Sequence, residues 1–140
     1  KMLAGEPIEV FGEGRMARDF TYIDDIVEGV IRASDMIAAP DPDWDPRAPD
    51  PATSSAPFRL YNIGNGAPVQ LLDFIEALEA SLGRKAERAP MPLQPGDALD
   101  TYADSDRLAR RINWRPATPV AEGVARFAGW YRDYAARRAE

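Results

Sequence analysis

A short strand that runs directly into an amphipathic helix is the feature that most restricts how this chain folds. Aromatic and β-branched residues crowd together over 20–23, which favours a strand. Beyond it, apolar residues recur at helical spacing: Ile23, Ile26, Val27, Val30, Ile31 and Ile37. Asp24 or Asp25 is suited to cap this helix, because a short carboxylate accepts hydrogen bonds from the free N–H groups of the first turn. Arg18 stands at the head of the strand, where a guanidinium on a stiff element is well placed to bind an anion.

Strand and helix patterns alternate along the rest of the chain, without a repeated unit. Further strands are predicted at 8–11, 58–64 and 86–91. Further helices are predicted over 71–82, after a cap at Asp104 or Ser105, and after Thr118 and Pro119. The aromatic residues of the last helix are interpreted as packing residues. The alternation predicts an α/β body, or α+β in isolation, with short strands and about four helices.

The first five residues, Lys1 to Gly5, are typical of the last turn of a helix, with Gly5 as its C-terminal cap. The chain therefore looks cut at its start.

A proline-rich insert occupies 40–57. It carries six of the 13 prolines and few apolar residues, so it buries too little surface to offset the entropy cost of ordering it. We expect a disordered surface loop within one domain, because periodic structure resumes immediately after it.

Two glycine-rich stretches are candidates for close approach to a ligand. Gly12, Gly14 and Ala17 match the spacing of the dinucleotide fingerprint, but that fingerprint needs a helix directly after the glycines, and a strand is expected there. A hairpin turn is the favoured interpretation, and no cofactor-binding residue is assigned. The turn that contains Gly64 and Gly66 either lets the backbone approach a ligand or only reverses the chain.

Composition excludes several classes of function. The 140 residues amount to one domain, and the net charge of −6 without a basic stripe argues against nucleic-acid binding. Cysteine and histidine are both absent, which excludes disulfides, thiolate or imidazole metal sites and nucleophile–histidine catalysis within these residues. No apolar run approaches the roughly eighteen residues that cross a bilayer, and no signal segment opens the chain. We expect a cytoplasmic protein that does not act at a membrane.

Five motifs, in this order, resemble the C-terminal part of the extended short-chain dehydrogenase/reductases, which are nucleotide-sugar epimerases and dehydratases. Within that family the chain most resembles the UDP-glucuronate 4-epimerase group. The motifs are Pro-Ile-Glu-Val-Phe-Gly, Arg-Asp-Phe-Thr-Tyr-Ile-Asp-Asp-Ile, Tyr-Asn-Ile-Gly-Asn, Gln-Pro-Gly-Asp with Thr-Tyr-Ala-Asp, and Trp-Arg-Pro-x-Thr.

The resemblance implies an enzyme that interconverts UDP-glucuronate and UDP-galacturonate by C4 oxidation and re-reduction with NAD. None of the five tyrosines has a lysine four residues later, so the family's Tyr-x-x-x-Lys pair is missing, as is its glycine-rich cofactor loop. We therefore expect residues 1–140 to be the C-terminal, nucleotide-sugar-binding portion of a truncated or proteolysed chain. On this interpretation the piece is inactive alone, its N-terminal NAD-binding Rossmann half is absent, and the complete enzyme is a homodimer. Another UDP-sugar epimerase, decarboxylase or dehydratase on the same scaffold, or a non-catalytic sugar-nucleotide-binding module, is the alternative.

The same resemblance assigns substrate-binding roles to particular residues and leaves catalytic and metal-binding residues unassigned. Arg18 matches the arginine that grips the UDP diphosphate, and Phe20 the aromatic position beside it. Gln94 stands where related epimerases carry a second phosphate-binding arginine. Asp97 matches a carboxylate that accepts from ribose hydroxyls, and Thr101 occupies a sugar-facing position.

Two of these residues also have a purely structural explanation. Arg18 could form an ion pair with Asp19, Asp24 or Asp25 and so hold the corner between strand and helix. Asp97 alone is compatible with an ordinary turn carboxylate.

Overall fold

The computed structural model describes residues 1–138, and within that range it contains four α-helices and four short strands. In chain order these are β1 (Ile8–Phe11), β2 (Ala17–Arg18), α1 (Ile23–Ser34), β3 (Val69–Gln70), α2 (Leu71–Leu82), β4 (Arg88–Met91), α3 (Asp106–Ile112) and α4 (Val120–Arg138). The predicted combination of short strands and about four helices is confirmed. None of the helices in the described range is both long and apolar enough to cross a membrane.

The strands form two separate pairs that bring distant parts of the chain together. β1 lies parallel to β4, with Ile8 opposite Arg88, and β2 lies antiparallel to β3, with Arg18 opposite Val69. On its other side β2 is bridged by Asp100 through Ala17. The segment that contains Asp100 therefore runs beside β2, the strand that carries Arg18.

The apolar core lies where α2 and α4 pack together. Ile75 of α2 and Val124 and Ala128 of α4 are at most 5% exposed. Arg132 of α4 also donates to the Ser81 carbonyl of α2 at 3.0 Å. Helix α2 ends as its sequence predicts, with Gly83 in the left-handed conformation at φ 65°.

A buried glutamate on α2 departs from the apolar pattern. The Glu79 side chain is 4% exposed and pairs with Lys85 at 2.5 Å and Arg88 at 3.2 Å. The amide of Ala86 also donates to it at 3.1 Å. Its bond to Lys85, followed by its bond to Ala86, lowers the pKa of the Glu79 carboxyl to about 2. The carboxylate thus ties the end of α2 to the strand that follows.

The predicted strand over 20–23 is wrong. The strand ends at Arg18 because its pairing partners, β3 and Asp100, lie only beside Ala17 and Arg18. Phe20 leaves the sheet and stacks on Phe74.

Helix α1 begins at Ile23, with Tyr22 as the N-cap residue, so Asp24 and Asp25 lie inside the first turn and neither caps it. Asp25 instead accepts from the amides of Ala117 and Thr118 at 3.2 and 2.9 Å.

Two further predictions about local structure are wrong. Gly12–Gly14 form a 3-10 turn, but β1 and β2 pair with other strands, so no hairpin forms there. The predicted strand over 58–64 is extended chain with a single bridge, from Arg59 to Thr53. No neighbouring strand within the described residues pairs with the rest of it, and a ladder needs such a neighbour.

Helices α3 and α4 start close to the residues at which the sequence predicts them. Ser105 is the N-cap residue of α3, but its hydroxyl donates to the Gly64 carbonyl at 3.0 Å instead of capping the helix. Helix α4 begins at Val120, and the amide of Gly123 donates to the Pro119 carbonyl at 3.0 Å.

The proline-rich insert is built from turns and one bridge to Arg59. Asp41, Asp45 and Asp50 each accept from the amide two residues later, which is how short carboxylates stabilise turns. Asp50 also pairs with Arg107 of α3 at 2.9 Å, and the bond to Arg107 lowers the pKa of the Asp50 carboxyl. The disorder of the proline-rich insert stays a prediction.

Candidate functional site

Arg18 has a positive charge that no carboxylate of the described residues neutralises. Its guanidinium donates to the carbonyls of Ala17 and Leu99, both at 3.0 Å, and lies 3.3 Å from the sulfur of Met16. The alternative ion pairs with Asp19, Asp24 or Asp25 do not form within 4.0 Å. Carbonyl dipoles fix the direction of the side chain without cancelling its charge, so the guanidinium can still attract an anion.

Thr101 lies on the segment next to Arg18. Its amide donates to the Ala17 carbonyl at 3.2 Å, and the Ala17 amide donates to the Leu99 carbonyl at 2.9 Å. The Leu99 carbonyl also accepts from Arg18, so one oxygen holds both the strand and the guanidinium. The structure therefore brings Arg18 and Thr101 together, on adjacent extended segments.

The hydroxyl of Thr101 already has a structural task, because it accepts from the Asp19 amide at 3.1 Å.

Gln94 and Asp97 lie on the exposed loop that leads into this segment. The Asp97 amide donates to the Gln94 carbonyl at 3.1 Å, and Gly96 between them has φ +90°, which glycine adopts without strain. Both side chains face solvent. The two residues are thus joined by one turn, a few positions before Thr101.

Phe20 packs against residues of the helices. Its ring stacks on Phe74 at a centroid distance of 4.1 Å and an interplanar angle of 13°. It also lines an apolar cavity of about 260 Å³ together with Tyr22, Val124 and Phe127. The contacts of Phe20 are those of a packing residue that holds the chain after Arg18.

Asp19 has a role in this region that the sequence interpretation missed. Its Oδ2 accepts from the amides of Gly66 and Ala103, both at 3.0 Å, and its own amide donates to Thr101. Three segments, around 19, 66 and 101–103, therefore meet at one carboxylate. The sequence signal for this role of Asp19 was a short carboxylate next to Arg18 together with the turn that contains Gly64 and Gly66, because glycine turns present free amides.

The glycine turn closes this junction by leaving no room for a side chain. A Cβ at Gly64 would lie 2.4 Å from the Cβ of Ala103 and 3.1 Å from Oδ2 of Asp19. Gly64 therefore packs directly against Ala103 and Asp19 of the same chain.

The residues that match the dinucleotide fingerprint do not fit a dinucleotide. Gly14 is followed by β2, so no helix N-terminus stands behind the glycines to face a pyrophosphate. A Cβ at Gly14 would lie 2.5 Å from Cδ2 of Leu72, which means that the protein itself fills the space beside this glycine.

Comparisons with known proteins give a consistent picture. The model of the NAD dependent epimerase/dehydratase family matches residues 1–45. An uncharacterized 37.6 kDa protein of Escherichia coli O111:H- is 50% identical over 95% of this chain and 40% of its own length. A probable UDP-glucuronate 4-epimerase of Rhizobium meliloti is 45% identical over 91% of this chain and 38% of its own length.

A solved structure shows the same fold. The crystal structure of a mutant UDP-glucuronic acid 4-epimerase from Bacillus cereus, in complex with UDP-4-deoxy-4-fluoro-glucuronic acid and NAD, superposes with a TM-score of 0.74 at 25% identity. The match covers 95% of this chain and 37% of that one. The matched region is the C-terminal portion of a Rossmann-type epimerase, as the resemblance implied. The chain thus spans about 40% of the length of the curated relatives that it matches.

Proposed function

This chain is a relative of the NAD-dependent epimerases and dehydratases, and on that premise we propose that it is the substrate-binding part of a nucleotide-sugar epimerase. The proposed reaction interconverts UDP-glucuronate and UDP-galacturonate. The 45% identity to the Rhizobium meliloti protein supports this choice of sugar.

The observation that carries the proposal is the unneutralised guanidinium of Arg18. It lies on β2 beside the 99–101 segment, and the loop with Gln94 and Asp97 leads into that segment. A diphosphate bound there would supply the missing negative charge, and Asp97 would accept from the ribose. The Thr101 hydroxyl, which accepts from the Asp19 amide, would still have its own proton to donate to the sugar. Each charge-assisted hydrogen bond of this kind contributes about 1.5–3 kcal/mol.

The remaining parts of the proposed enzyme lie outside these residues. Because the fingerprint glycines do not fit a dinucleotide, NAD would be held by a Rossmann half that precedes this portion, and the piece alone would be inactive. The exposed aliphatic face of α1, with Ile23 61%, Val30 52% and Ile31 51% exposed, supports a further packing partner. A cytoplasmic homodimer remains part of this proposal.

Calorimetric titration of UDP into the complete enzyme tests the role of Arg18. We expect Arg18→Ala to weaken UDP binding at least about tenfold, or about 1.4 kcal/mol, because the diphosphate loses its charged partner. Uridine has no phosphates, so its affinity stays unchanged in the same variant. Arg15→Ala is the matched control, since Arg15 is exposed and pairs with Glu13 at 3.3 Å. Equal UDP binding by wild type and Arg18→Ala would refute the assignment, and an equal loss of uridine binding would show a merely structural role.

The chemistry is tested by the products. UDP-glucuronate incubated with the complete enzyme should reach a mixture with UDP-galacturonate. Release of carbon dioxide with UDP-xylose, or loss of water, would identify the alternative reactions. No conversion would favour either an epimerase of another UDP-sugar or a non-catalytic binding module, and incubation with UDP-glucose separates the two.

A further inference from the structure

One face of helix α3 carries three arginines. Arg107, Arg110 and Arg111 are three and four residues apart, and this spacing places side chains on the same side of an α-helix. Like charges at such spacing slightly destabilise a helix. Helix formation therefore gives no reason for the cluster, in a chain whose net charge is −6.

The three arginines form one wall of an open pocket of about 420 Å³, which we call the arginine pocket. The other walls come from the segment after the proline-rich insert, with Arg59 and Tyr61, and from the insert itself, with Asp50 and Thr53. The insert is attached to that segment here, because the Leu60 amide donates to the Ala52 carbonyl at 3.0 Å. Three separate parts of the chain thus enclose a pocket of a size that is typical of small-molecule sites.

The positive charge in the arginine pocket is only partly neutralised. Asp50 is the one carboxylate that lines it in the described part of the chain, and it pairs with Arg107 at 2.9 Å. Arg59 and Arg111 have no carboxylate within 4.0 Å among residues 1–138. Two guanidinium groups from different elements are therefore free to attract an anion.

Arg110 adds to this charge, because its counter-ion is shared. Its Nη1 lies 3.8 Å from Oδ2 of Asp106, whereas Arg115 contacts Oδ1 of the same carboxylate at 2.6 Å. The bond from Arg115 is also the main reason that the pKa of the Asp106 carboxyl is lowered. Asp106 thus serves mainly Arg115, and most of the charge of Arg110 stays available at the pocket.

A hydroxyl in the wall of the pocket has no partner in the protein. Oγ1 of Thr53 is buried and makes no hydrogen bond within the described residues. Buried hydroxyls in folded proteins nearly always have a partner. A rotation about the Cα–Cβ bond of Thr53 would let this hydroxyl donate to an oxygen in the pocket.

We propose that the arginine pocket binds a small molecule through a phosphate or diphosphate group. The planar guanidinium fork matches the oxygens of a phosphate, and a dianion neutralises two such groups at once. The pocket is concave, and the negative chain around it disfavours a nucleic acid or an anionic membrane as the partner. None of the residues assigned to the UDP-sugar lines the pocket, so this ligand is additional to the proposed substrate.

Calorimetric titration of pyrophosphate into the complete protein tests the proposal. Arg18→Ala serves as the parent, so that the proposed UDP diphosphate site does not contribute. We expect saturable binding that weakens at least about fivefold in Arg59→Gln and in Arg111→Gln, because each removes a guanidinium that has no carboxylate partner. Arg137→Gln, at the exposed end of α4, is the matched control and should bind like the parent.

Circular dichroism and urea unfolding confirm that each variant is folded. Absence of saturable binding would overturn the proposal. An equal affinity in Arg59→Gln, Arg111→Gln and Arg137→Gln would overturn it as well, since it would show binding by general charge alone.

The phosphate group could belong to an inorganic anion or to a nucleotide, and ATP titrated into the same parent separates these sources. Tighter binding of ATP than of pyrophosphate, reduced by Arg59→Gln, would identify a nucleotide. Equal or weaker binding of ATP, reduced by the same variant, would show that the pocket recognises the phosphates alone.

Trypsin cleavage gives a second readout in protein that keeps Arg18. To cut between Arg59 and Leu60, trypsin takes the Arg59 side chain into its own specificity pocket, so a ligand held by that guanidinium protects the bond. We expect pyrophosphate to slow this cut several-fold, and to lose that effect in Arg111→Gln. The cut between Arg137 and Arg138 is the internal control and should not change.

An unchanged rate of cleavage after Arg59 in the presence of pyrophosphate would contradict the proposal. Neither experiment reads epimerase activity or depends on UDP binding at Arg18, so failure here is distinguishable from failure of the proposed function.

Discussion

Replacement of Gly64 by alanine should separate packing at the candidate site from its chemistry. The new Cβ would lie 2.4 Å from the Cβ of Ala103, a distance that atoms in proteins essentially never adopt. The Ala103 Cβ is not the flexible end of a long side chain, so the 101–103 segment has to move. That movement strains the bonds from Gly66 and Ala103 to Asp19, and from Asp19 to Thr101.

The magnitude follows from the clash and the bonds. Overpacking of this kind costs about 1–3 kcal/mol, and partial strain shared among the three hydrogen bonds adds about the worth of one bond, about 0.5–1.5 kcal/mol. We therefore expect Gly64→Ala to lower the unfolding free energy by about 2–4 kcal/mol. UDP binding should weaken as well, because the segment that carries Thr101 and the Leu99 carbonyl orients Arg18.

Urea unfolding and UDP titration of the complete protein measure the two effects. Gly129→Ala is the matched control, since nothing lies within 4 Å of a Cβ at this helical glycine and alanine favours helix. The double variant Gly64→Ala with Ala103→Gly removes the clashing atom and should recover at least half of the lost stability. A single variant that costs under about 0.5 kcal/mol, or a double variant that recovers nothing, would refute the contact as the cause.

Two further predictions concern charged groups away from the loop. The pKa of Glu79 is lowered from 4.5 to about 2 in the folded chain, so its stabilising effect is complete above pH 4.5 and is lost as the pH falls toward 2. In urea unfolding, Glu79→Gln should therefore be less stable than wild type at pH 7 and should lose less stability between pH 4.5 and pH 2. Glu76→Gln, on the exposed side of α2, is the control and should follow wild type. Equal losses of stability on acidification for Glu79→Gln and wild type would contradict the assignment. Asp25→Ala should lower the unfolding free energy by about 1–2 kcal/mol, because two amides before α4 lose their acceptor, and Asp25→Asn should retain part of it. Asp24→Ala is its control, and equal effects of the two alanine variants would count against this contact.

The sequence by itself determined the elements whose signals are local. The stripe from Leu71 to Leu82 with its glycine stop predicted α2 and its end, because helix periodicity and a left-handed cap depend on neighbours in the chain. The sequence predicted the cap at Gly5 for the same reason, and in the structure Gly5 has φ +77° and its amide donates to the Met2 carbonyl at 3.2 Å. The ordered motifs indicated the family, which the comparisons support.

Only the tertiary structure decided which residues meet. Phe20 has strand propensity, yet it packs on Phe74, because the sheet partners end at Arg18 and stacking replaces pairing. The sequence suggests Asp19 as a possible ion-pair partner of Arg18, whereas in the fold its Oδ2 accepts hydrogen bonds from the amides of Gly66 and Ala103, which lie on two remote segments. Backbone amides at positions 66 and 103 leave no mark in the sequence, because every residue except proline carries one, and only the folded chain determines which amides a carboxylate reaches.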